Sequence, residues 1–317
     1  MGIRKKVIID TDPGVDDALA IAYALKSQLL EVVALTTVFG NSQVDQTTRN
    51  ALSLIKFLNA DIPVYKGSGN RIDGSNPSVL ASSQAGTVSY FNSRPESSMG
   101  EMNAIDAIIC CLETARDSIS IIAIGPLTNI AKSYQKSPES FKDKLERIWI
   151  MGGAINTYGN ISPVAEFNFY SDPMAADIVL KADIPKTLVP VNACRKVVMT
   201  PEELKSLSGN SLIEDLDGLV GEYMRYYVNQ ERLGGAVMYD PAVVGLCANP
   251  AFIRKQIPLY VRVETAGELS LGQSVADLRP NSQNKPNVSV CLDLESAPLK
   301  SEFYQALSRQ NQPNWSK

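Results

Sequence analysis

The chain of 317 residues contains no histidine. This absence excludes the Ser-His-Asp triad, the H-E-x-x-H zinc site and every acid–base step that uses an imidazole. Any chemistry must therefore rest on carboxylates, amides, hydroxyls, main-chain groups or a hard metal ion.

The chain has few cysteines, and their spacing shows no paired motif. The chain has five cysteines, Cys110, Cys111, Cys194, Cys247 and Cys291. An odd number without any C-x-x-C spacing indicates neither a disulfide framework nor a zinc site. We therefore expect a reducing compartment, with the cytoplasm as the default location.

Excess positive charge and long apolar runs are also missing. The 30 Lys and Arg residues stand against 34 Asp and Glu residues, for a formal net charge of -4. No basic field exists to hold a phosphate backbone, so nucleic acid is not an expected partner. The first residues lack the apolar centre of a signal peptide, and no apolar run approaches the length of a membrane span. We expect no membrane association.

Short β-branched runs alternate with longer segments of helical periodicity, a pattern typical of a parallel sheet wrapped by helices. The predicted strands are Val7–Ile9, Val32–Val38, Ile119–Ile124, Ile148–Met151 and Thr187–Val191. The predicted helices are Asp17–Lys26, Val44–Leu58, Asn103–Thr114, Leu127–Gln135 and Pro173–Lys181. The predicted fold class is α/β: an open, mostly parallel, doubly wound Rossmann-like sheet with helices on both faces.

No repeat, low-complexity tract or linker divides the chain, so we expect one domain over residues 1–317. Two segments, 67–100 and 199–238, are predicted to be excursions over the active site, and residues 310–317 are predicted to be a flexible tail. In such a sheet, ligands bind outside the carboxyl ends of the strands. The polar residues that follow each apolar run are therefore the candidates for function.

The first predicted strand is followed by an acidic run, Asp10-Thr11-Asp12-Pro13-Gly14-Val15-Asp16-Asp17-Ala18. Four aspartates in eight residues repel one another unless a cation or hydrogen bonds compensate. Capping of the next helix explains one or two of them. It does not explain four, so we favour a site for a hard cation.

The other predicted strand ends supply matching oxygen ligands. Asn41 follows the second strand, and a sharp turn from Gly125 to Asn129 follows the third. Met151-Gly152-Gly153 ends the next strand with glycines that permit close backbone approach. Glu166 and Asn168 alternate with apolar residues, and Asp240 begins a later helix. Each feature alone is weak evidence for a ligand site. Their joint position at the ends of predicted strands is what indicates one.

The acidic run from Asp10 to Ala18 resembles the N-terminal signature of the inosine–uridine nucleoside hydrolase family. Further segments are similar to family segments in the same order: Thr36–Asn41, Gly125–Asn129, Met151–Gly153, Ala165–Asn168 and Leu271–Asp277. The resemblance spans nearly the whole chain. It implies the nucleoside hydrolase fold and calcium-dependent hydrolysis of the N-glycosidic bond of a ribonucleoside to ribose and free base. It also implies a homodimer or homotetramer.

The resemblance also implies a role for individual residues. Asp12, Asp17, Asp240 and the main-chain carbonyl of Thr128 would bind Ca²⁺, and Asp12 would take a proton from the attacking water. Asp16, Asn41, Asn168 and Asp240 would bind the ribose hydroxyls, Asn160 and Glu166 would reach the 5′-hydroxyl, and Met151 would lie beside the sugar. The chemistry agrees, because cleavage builds positive charge on the ribose, and carboxylate and amide oxygens stabilise that charge.

The chain departs from the family pattern on the side of the base. Typical members carry a histidine immediately before the downstream aspartate, where this chain has Tyr239. The stretch Leu80–Gly86 has lost a second family histidine and its surroundings. Tyr239 is a candidate catalytic residue, as a proton donor to the base, or only a packing aromatic. Further candidates to reach the base are Tyr226, Tyr227, Arg225 and Arg232, although an exposed helix surface is favoured for most of them.

Three functions stay open at this point. The favoured one is a nucleoside hydrolase acting on an unusual or modified base that needs no histidine, such as a 7-deazapurine or nicotinamide. The second is a nucleoside- or ribose-binding protein that has lost turnover, which the missing histidines motivate. The third is a phosphatase of the aspartate-nucleophile type, suggested by the Asp10-x-Asp12 spacing after a strand.

Overall fold

The computed structural model describes residues 4–77, 99–206, 220–221, 223–231 and 233–309. The stretch Leu80–Gly86, the predicted tail at 310–317 and parts of both predicted excursions lie outside these residues. Among the described residues, no helix combines the length and the apolar character needed to cross a membrane.

Strands from both ends of the chain form one central sheet. Within the described residues its order is β3-β2-β1-β4-β5-β6-β12-β9. The strands are β1 Lys5–Thr11, β2 Leu30–Thr37, β3 Val64–Lys66, β4 Ile119–Ala123, β5 Leu145–Met151, β6 Lys186–Val189, β7 Val198–Met199, β8 Ala236–Val237, β9 Ile253–Leu259, β10 Val261–Val263, β11 Ser274–Ala276 and β12 Val288–Leu294. Two small antiparallel pairs, β7 with β8 and β10 with β11, lie outside the sheet.

Helices connect most of the parallel strands. They are α1 Val15–Lys26, α2 Val44–Phe57, α3 Ala104–Thr114, α4 Thr128–Lys136, α5 Ser140–Asp143, α6 Phe167–Ser171, α7 Pro173–Lys181, α8 Val191–Cys194, α9 Pro201–Ser206, α10 Tyr239–Ala248 and α11 Ser296–Leu307. A π-helix spans Tyr227–Glu231 and a 3₁₀ turn spans Pro250–Phe252. The predicted α/β class is confirmed, with β9 as an antiparallel strand at the edge of an otherwise parallel sheet.

Both faces of the sheet are buried, because side chains of successive strand residues point to opposite sides. In β1, Val7 and Ile9 join a hydrophobic core with α1, α2, α10 and α11. Ile8 joins a second core with α3, α4 and α7 on the other face. Burial on both faces explains why these strands are continuous apolar runs in the sequence rather than alternating ones.

The sheet reverses its winding beside β1. From β1 the chain passes to β2 and β3 on one side, and β4, β5 and β6 extend on the other side. This reversal opens a crevice at the carboxyl ends of β1 and β4. The acidic run and the Gly125 turn both lie there, because they follow these two strands directly.

Strand β6 is shorter than predicted. It ends at Val189, and Val191 begins the short helix α8 instead of continuing the strand. Pro190 between them has no N–H to donate to a neighbouring strand, so pairing stops there. Strands β9 and β12 and helix α11 had no counterpart among the predicted elements. Their pairing spans a long sequence separation, which local periodicity does not reveal.

Candidate active site

The loop between β1 and α1 is organised around the carboxylate of Asp17. One oxygen accepts hydrogen bonds from Thr11 Oγ1 at 2.5 Å and from the Asp12 amide at 3.2 Å. The other accepts from the Gly14 amide at 2.9 Å and from Asn41 Nδ2 at 3.2 Å. Asp17 therefore caps the first turn of α1. It is one of the one or two aspartates of the acidic run that capping was expected to explain.

The carboxylate of Asp12 lies in a slot between two glycines. Its Oδ2 accepts a hydrogen bond of 2.7 Å from the Asn41 amide, and Asn41 Nδ2 donates to the Asp12 carbonyl at 3.1 Å. A Cβ atom on Gly40 would lie 2.0 Å from Asp12 Oδ2, and one on Gly125 would lie 2.8 Å from Oδ1. A side chain at either position would displace this carboxylate, so glycine keeps it in place.

Asp16 meets Asp240 across the site. The Asp240 amide donates a hydrogen bond of 3.0 Å to Asp16 Oδ2. Asp16 Oδ1 is buried and accepts no hydrogen bond from the described residues. Burial raises the pKa of Asp16 to about 8. Oδ1 is therefore the oxygen of Asp16 that could accept a hydroxyl of a ligand.

Several acids are buried together at this edge of the sheet. Burial raises the pKa of Asp12 well above its ordinary value, and the charge of Asp17 raises it further. The pKa of Asp240 rises for the same reason, first through burial and then through the charges of Asp16, Asp17, Asp12 and Glu166. Among the described residues, no lysine or arginine lies within ion-pair distance of these carboxylates. Buried carboxylates are stable in their ionised form only when a positive charge compensates them.

Asn168 and Met151 line the next part of the crevice. Asn168 Nδ2 donates to the main-chain oxygens of Ile124 at 2.9 Å and Met151 at 3.2 Å. These bonds orient the amide and commit its N–H groups to the protein, so its oxygen is the part that can accept from a ligand. Thr128 is the first residue of α4, and its hydroxyl donates to Asp172 Oδ2 at 2.7 Å.

Glu166 is the N-cap of α6, and most acceptor sites of its carboxylate are occupied by main-chain amides. Its Oε1 accepts from the Asn168 amide at 2.8 Å. Its Oε2 accepts from the amides of Gly153 at 2.9 Å and Phe169 at 3.1 Å. A carboxylate has about four acceptor sites, so one remains on Oε1. Burial raises the pKa of Glu166 to about 7.

Asn160 lies in the loop before Glu166. Its side-chain oxygen accepts from the Phe167 amide at 2.9 Å, which joins this loop to the first turn of α6. Asn160 is only partly buried, whereas Glu166 is 1% exposed. The described contacts connect Asn160 to α6 and do not connect it to the acidic residues.

Comparison with known proteins decides the family. The family model described as inosine-uridine preferring nucleoside hydrolase matches residues 7–301. The chain belongs to this nucleoside hydrolase family. It is accordingly a hydrolase of the N-glycosidase class, which sets aside the binding-protein and phosphatase interpretations.

Relatives of this nucleoside hydrolase match over most of their length. The non-specific ribonucleoside hydrolase RihC of Escherichia coli is 34% identical over 299 residues, covering 92% of this chain and 95% of the relative. The probable uridine nucleosidase 1 of Oryza sativa is 32% identical, covering 90% of this chain and 88% of the relative. A solved plant nucleoside hydrolase superimposes with a TM-score of 0.89 at 31% identity, covering 97% of this chain and all of that chain.

The carboxylates of this nucleoside hydrolase do not form a complete metal-ligand shell by themselves. Over the described residues, no group of three or more Asp, Glu and Cys side chains stands in a metal-binding arrangement. The hydrogen bonds to Asp17 explain part of this, because all its acceptor sites are in use. The glycine-lined slot of Asp12 and the free oxygen of Asp16 nevertheless suit a hard cation and a hydroxyl-rich ligand.

Tyr239 lies in a cluster of tyrosines beside Asp240. It is 5% exposed, and its ring centroid is 6.0 Å from that of Tyr227. Tyr227 in turn contacts Tyr223 at 4.8 Å, and Tyr223 donates to the Val237 carbonyl at 3.0 Å. Tyr227 is 7% exposed, so the expected exposed helix surface is wrong for this residue. Tyr223 was not predicted, although its spacing of four from Tyr227 on a helix is a usable signal.

Proposed function

We propose that this nucleoside hydrolase uses Ca²⁺ and releases a base that departs without protonation by histidine. The observation behind the proposal is a buried set of carboxylates, around Asp12 and Asp16, in a chain with no histidine. The carboxylates require a positive charge, and the absence of histidine removes the usual acid for the base.

The proposed ligands of the ion are Asp12, Asp17, Asp240 and the main-chain oxygen of Thr128. Oxygen donors of this kind suit calcium, which takes six to eight of them. The ion would orient water and ribose hydroxyls and make the water more acidic. Asp17 can join only by exchanging one hydrogen bond, such as that from Asn41, for the ion.

The proposed sugar contacts use the acceptor oxygens that the protein leaves open. Asp16 Oδ1 and the amide oxygen of Asn168 accept ribose hydroxyls, together with Asn41 and Asp240. The remaining acceptor site of Glu166, with Asn160, takes the 5′-hydroxyl, and Met151 lies beside the ring. Fixing the ribose from several sides removes orientational freedom, and the surrounding oxygens stabilise the positive charge that develops on it.

The proposed chemical step divides between Asp12 and the base side of the site. Asp12 takes a proton from the attacking water, which adds to the anomeric carbon as the bond to the base breaks. The electron pair of that bond leaves with the base. Nicotinamide departs as a neutral molecule from its cationic riboside, so it needs no acid. A 7-deazapurine has no N7 to protonate and must leave as an anion, so it serves as the slow reference among the substrates.

One assay tests this proposal. Release of reducing sugar is measured for inosine, uridine, a 7-deazapurine riboside and nicotinamide riboside, with calcium and with a chelator. We expect nicotinamide riboside to be cleaved faster than inosine or uridine, the 7-deazapurine riboside to be cleaved no faster than inosine, and chelation to abolish activity. Asp12→Asn should abolish release, whereas Asp45→Asn, at an exposed aspartate paired with Lys66, should not. Full activity after exhaustive chelation rules out the metal, and faster cleavage of inosine than of nicotinamide riboside rules out the unusual base.

Two further features are proposals, the first from resemblance and the second from the cysteine content. We infer a homodimer or homotetramer, as related enzymes form, and a cytoplasmic location in keeping with five free cysteines. Size-exclusion chromatography with light scattering tests the first, and fractionation of the source cells tests the second.

A further inference from the structure

The amide of Asn129, a fully buried residue, ties together the ends of three strands. Its Nδ2 donates to Asp10 Oδ1 at 2.8 Å and to the Thr37 carbonyl at 3.0 Å. Its Oδ1 accepts from the Ser68 amide at 2.9 Å. One side chain on α4 therefore joins the ends of β1 and β2 and the segment after β3.

Asp10 is an unusual partner for this amide. It is fully buried, and its Oδ1 also accepts from Thr36 Oγ1 at 2.6 Å. Its Oδ2 is buried and accepts no hydrogen bond from the described residues. A buried carboxylate with an unsatisfied oxygen is unfavourable, so its presence in the core calls for a reason other than stability.

The first turn of α4 is held on a second side by its neighbouring residue. Thr128 Oγ1 donates to Asp172 Oδ2, and that oxygen also accepts from the Ile72 amide at 2.8 Å. Asp172 caps α7 through the Ala175 amide at 3.1 Å. The main chain at Thr128 is therefore fixed between Asn129, bound to β1 and β2, and Asp172, bound to α7.

We infer that Asn129 and Asp10 are a positioning pair that sets the distance between the two halves of the active site. Asp10 lies two residues before Asp12, and Asn129 lies one residue after Thr128. The hydrogen bond between them joins residues 119 positions apart. The inference rests on the proposed function for one point only, namely that the oxygens of Asp12 and Thr128 bind a cation.

Neither residue of the pair needs to touch the substrate for this role. Groups behind the metal ligands orient them, and their loss reduces metal affinity or activity by about 10- to 100-fold. A purely structural pair would behave differently, because its loss would lower stability without changing the properties of the remaining folded enzyme.

The matched control is Asn287, another amide that bonds the main chain in two directions. Its Oδ1 accepts from the Val261 amide at 2.9 Å and its Nδ2 donates to the Val261 carbonyl at 2.8 Å. It immediately precedes β12, which places it at the amino end of a parallel strand and away from the active site.

The experiment compares Asn129→Leu with Asn287→Leu, measuring Tm, kcat and KM for the best nucleoside, and the Kd for calcium by titration calorimetry. We expect both variants to lose Tm. Only Asn129→Leu should bind calcium more weakly and lose kcat/KM, each by about 10- to 100-fold. Asp10→Asn keeps an acceptor for Asn129 and should retain most activity. Asp10→Leu should lose as much activity as Asn129→Leu. The double variant should lose no more than either single variant, because both remove the same hydrogen bond.

The outcomes separate this inference from the proposed function. Wild-type calcium affinity and kcat/KM in Asn129→Leu overturn the positioning pair. If the wild-type enzyme is active but ignores calcium, the proposed metal fails, and the kcat/KM values of the two leucine variants still decide the role of Asn129. Should Asn129→Leu not fold, Asn129→Ala replaces it, because alanine also removes both donated hydrogen bonds and adds no bulky apolar group.

Discussion

The main-chain amide of Asp240 donates a hydrogen bond of 3.0 Å to Asp16 Oδ2, which joins residues 224 positions apart. Asp16 belongs to the first turn of the first helix, and Asp240 belongs to the first turn of α10. Asp16 Oδ1 is buried and accepts no hydrogen bond from the described residues. The acidic run near the start of the chain is thus joined by a residue from a distant part of the sequence.

The slot around Asp12 predicts a strong effect of one added methyl group. In Gly40→Ala, the new Cβ would lie 2.0 Å from Asp12 Oδ2, so the carboxylate must move. A displacement of about 1 Å in a catalytic group reduces rates by about 10²-fold, and we expect a loss of kcat/KM of at least that size. Gly221→Ala is the control, because its nearest neighbour lies 3.8 Å from the new atom. Equal activity of the two variants would contradict the assignment of Asp12.

Tyr239 can be tested through its hydroxyl alone. If this group donates a hydrogen bond to the leaving base, Tyr239→Phe should reduce inosine hydrolysis by about 10²-fold and leave nicotinamide riboside unaffected. Tyr239→His restores the residue of typical family members and should increase inosine hydrolysis near neutral pH, because histidine has an ordinary pKa near 6.5 against about 10 for tyrosine. An identical change for both substrates would assign Tyr239 to packing against Tyr227.

The remaining acceptor site of Glu166 predicts a dependence on the 5′-hydroxyl. Glu166→Gln should lose more kcat/KM with a nucleoside than with its 5′-deoxy analogue, because only the former has the hydroxyl to place on Oε1. The variant also replaces an acceptor of main-chain amides with an N–H group. We therefore expect the free energy of unfolding to fall by about 1 to 3 kcal/mol, which lowers Tm. Equal losses with both substrates would confine Glu166 to capping α6.

The stability of the calcium-free protein should fall as pH rises from about 4 to about 8. Burial raises the pKa of Asp16 to about 8 and that of Asp10 and Glu166 to about 7, whereas unfolded carboxyls titrate near 4. Within this window the folded chain keeps protons that the unfolded chain has released, so the free energy of unfolding decreases with pH. Thermal unfolding in a chelator at about pH 5.5 and about pH 8 measures this.

Under the proposed function, added calcium should reverse that trend, because the ion would bind the ionised carboxylates. The increase in Tm should be larger at about pH 8 than at about pH 5.5. Asp16→Asn removes one titrating group and should flatten the dependence in the chelator. A Tm that rises with pH in the absence of divalent ions would refute the assignment of these buried acids as uncompensated.

Local sequence was sufficient for the α/β class and for the position of the acidic run at the end of a strand. The continuous apolar run at Val7–Ile9 predicts a strand buried on both faces, and the acids that follow it must gather at its carboxyl end. Chain geometry alone brings Asp12, Asp16 and Asp17 together, because they share one tight turn between β1 and α1. The absence of histidine likewise follows from the sequence without any structure.

Contacts between distant segments required the tertiary structure. The pairing of β12 with β6 and β9, the bond from Asp240 to Asp16 and the amide of Asn129 between three strand ends all join residues far apart in sequence. Their partners are chosen by packing of the whole sheet, which leaves no local periodicity or spacing to recognise. The residue types available for chemistry were thus set by the sequence, while burial and partner choice decided which oxygens remain open to a ligand.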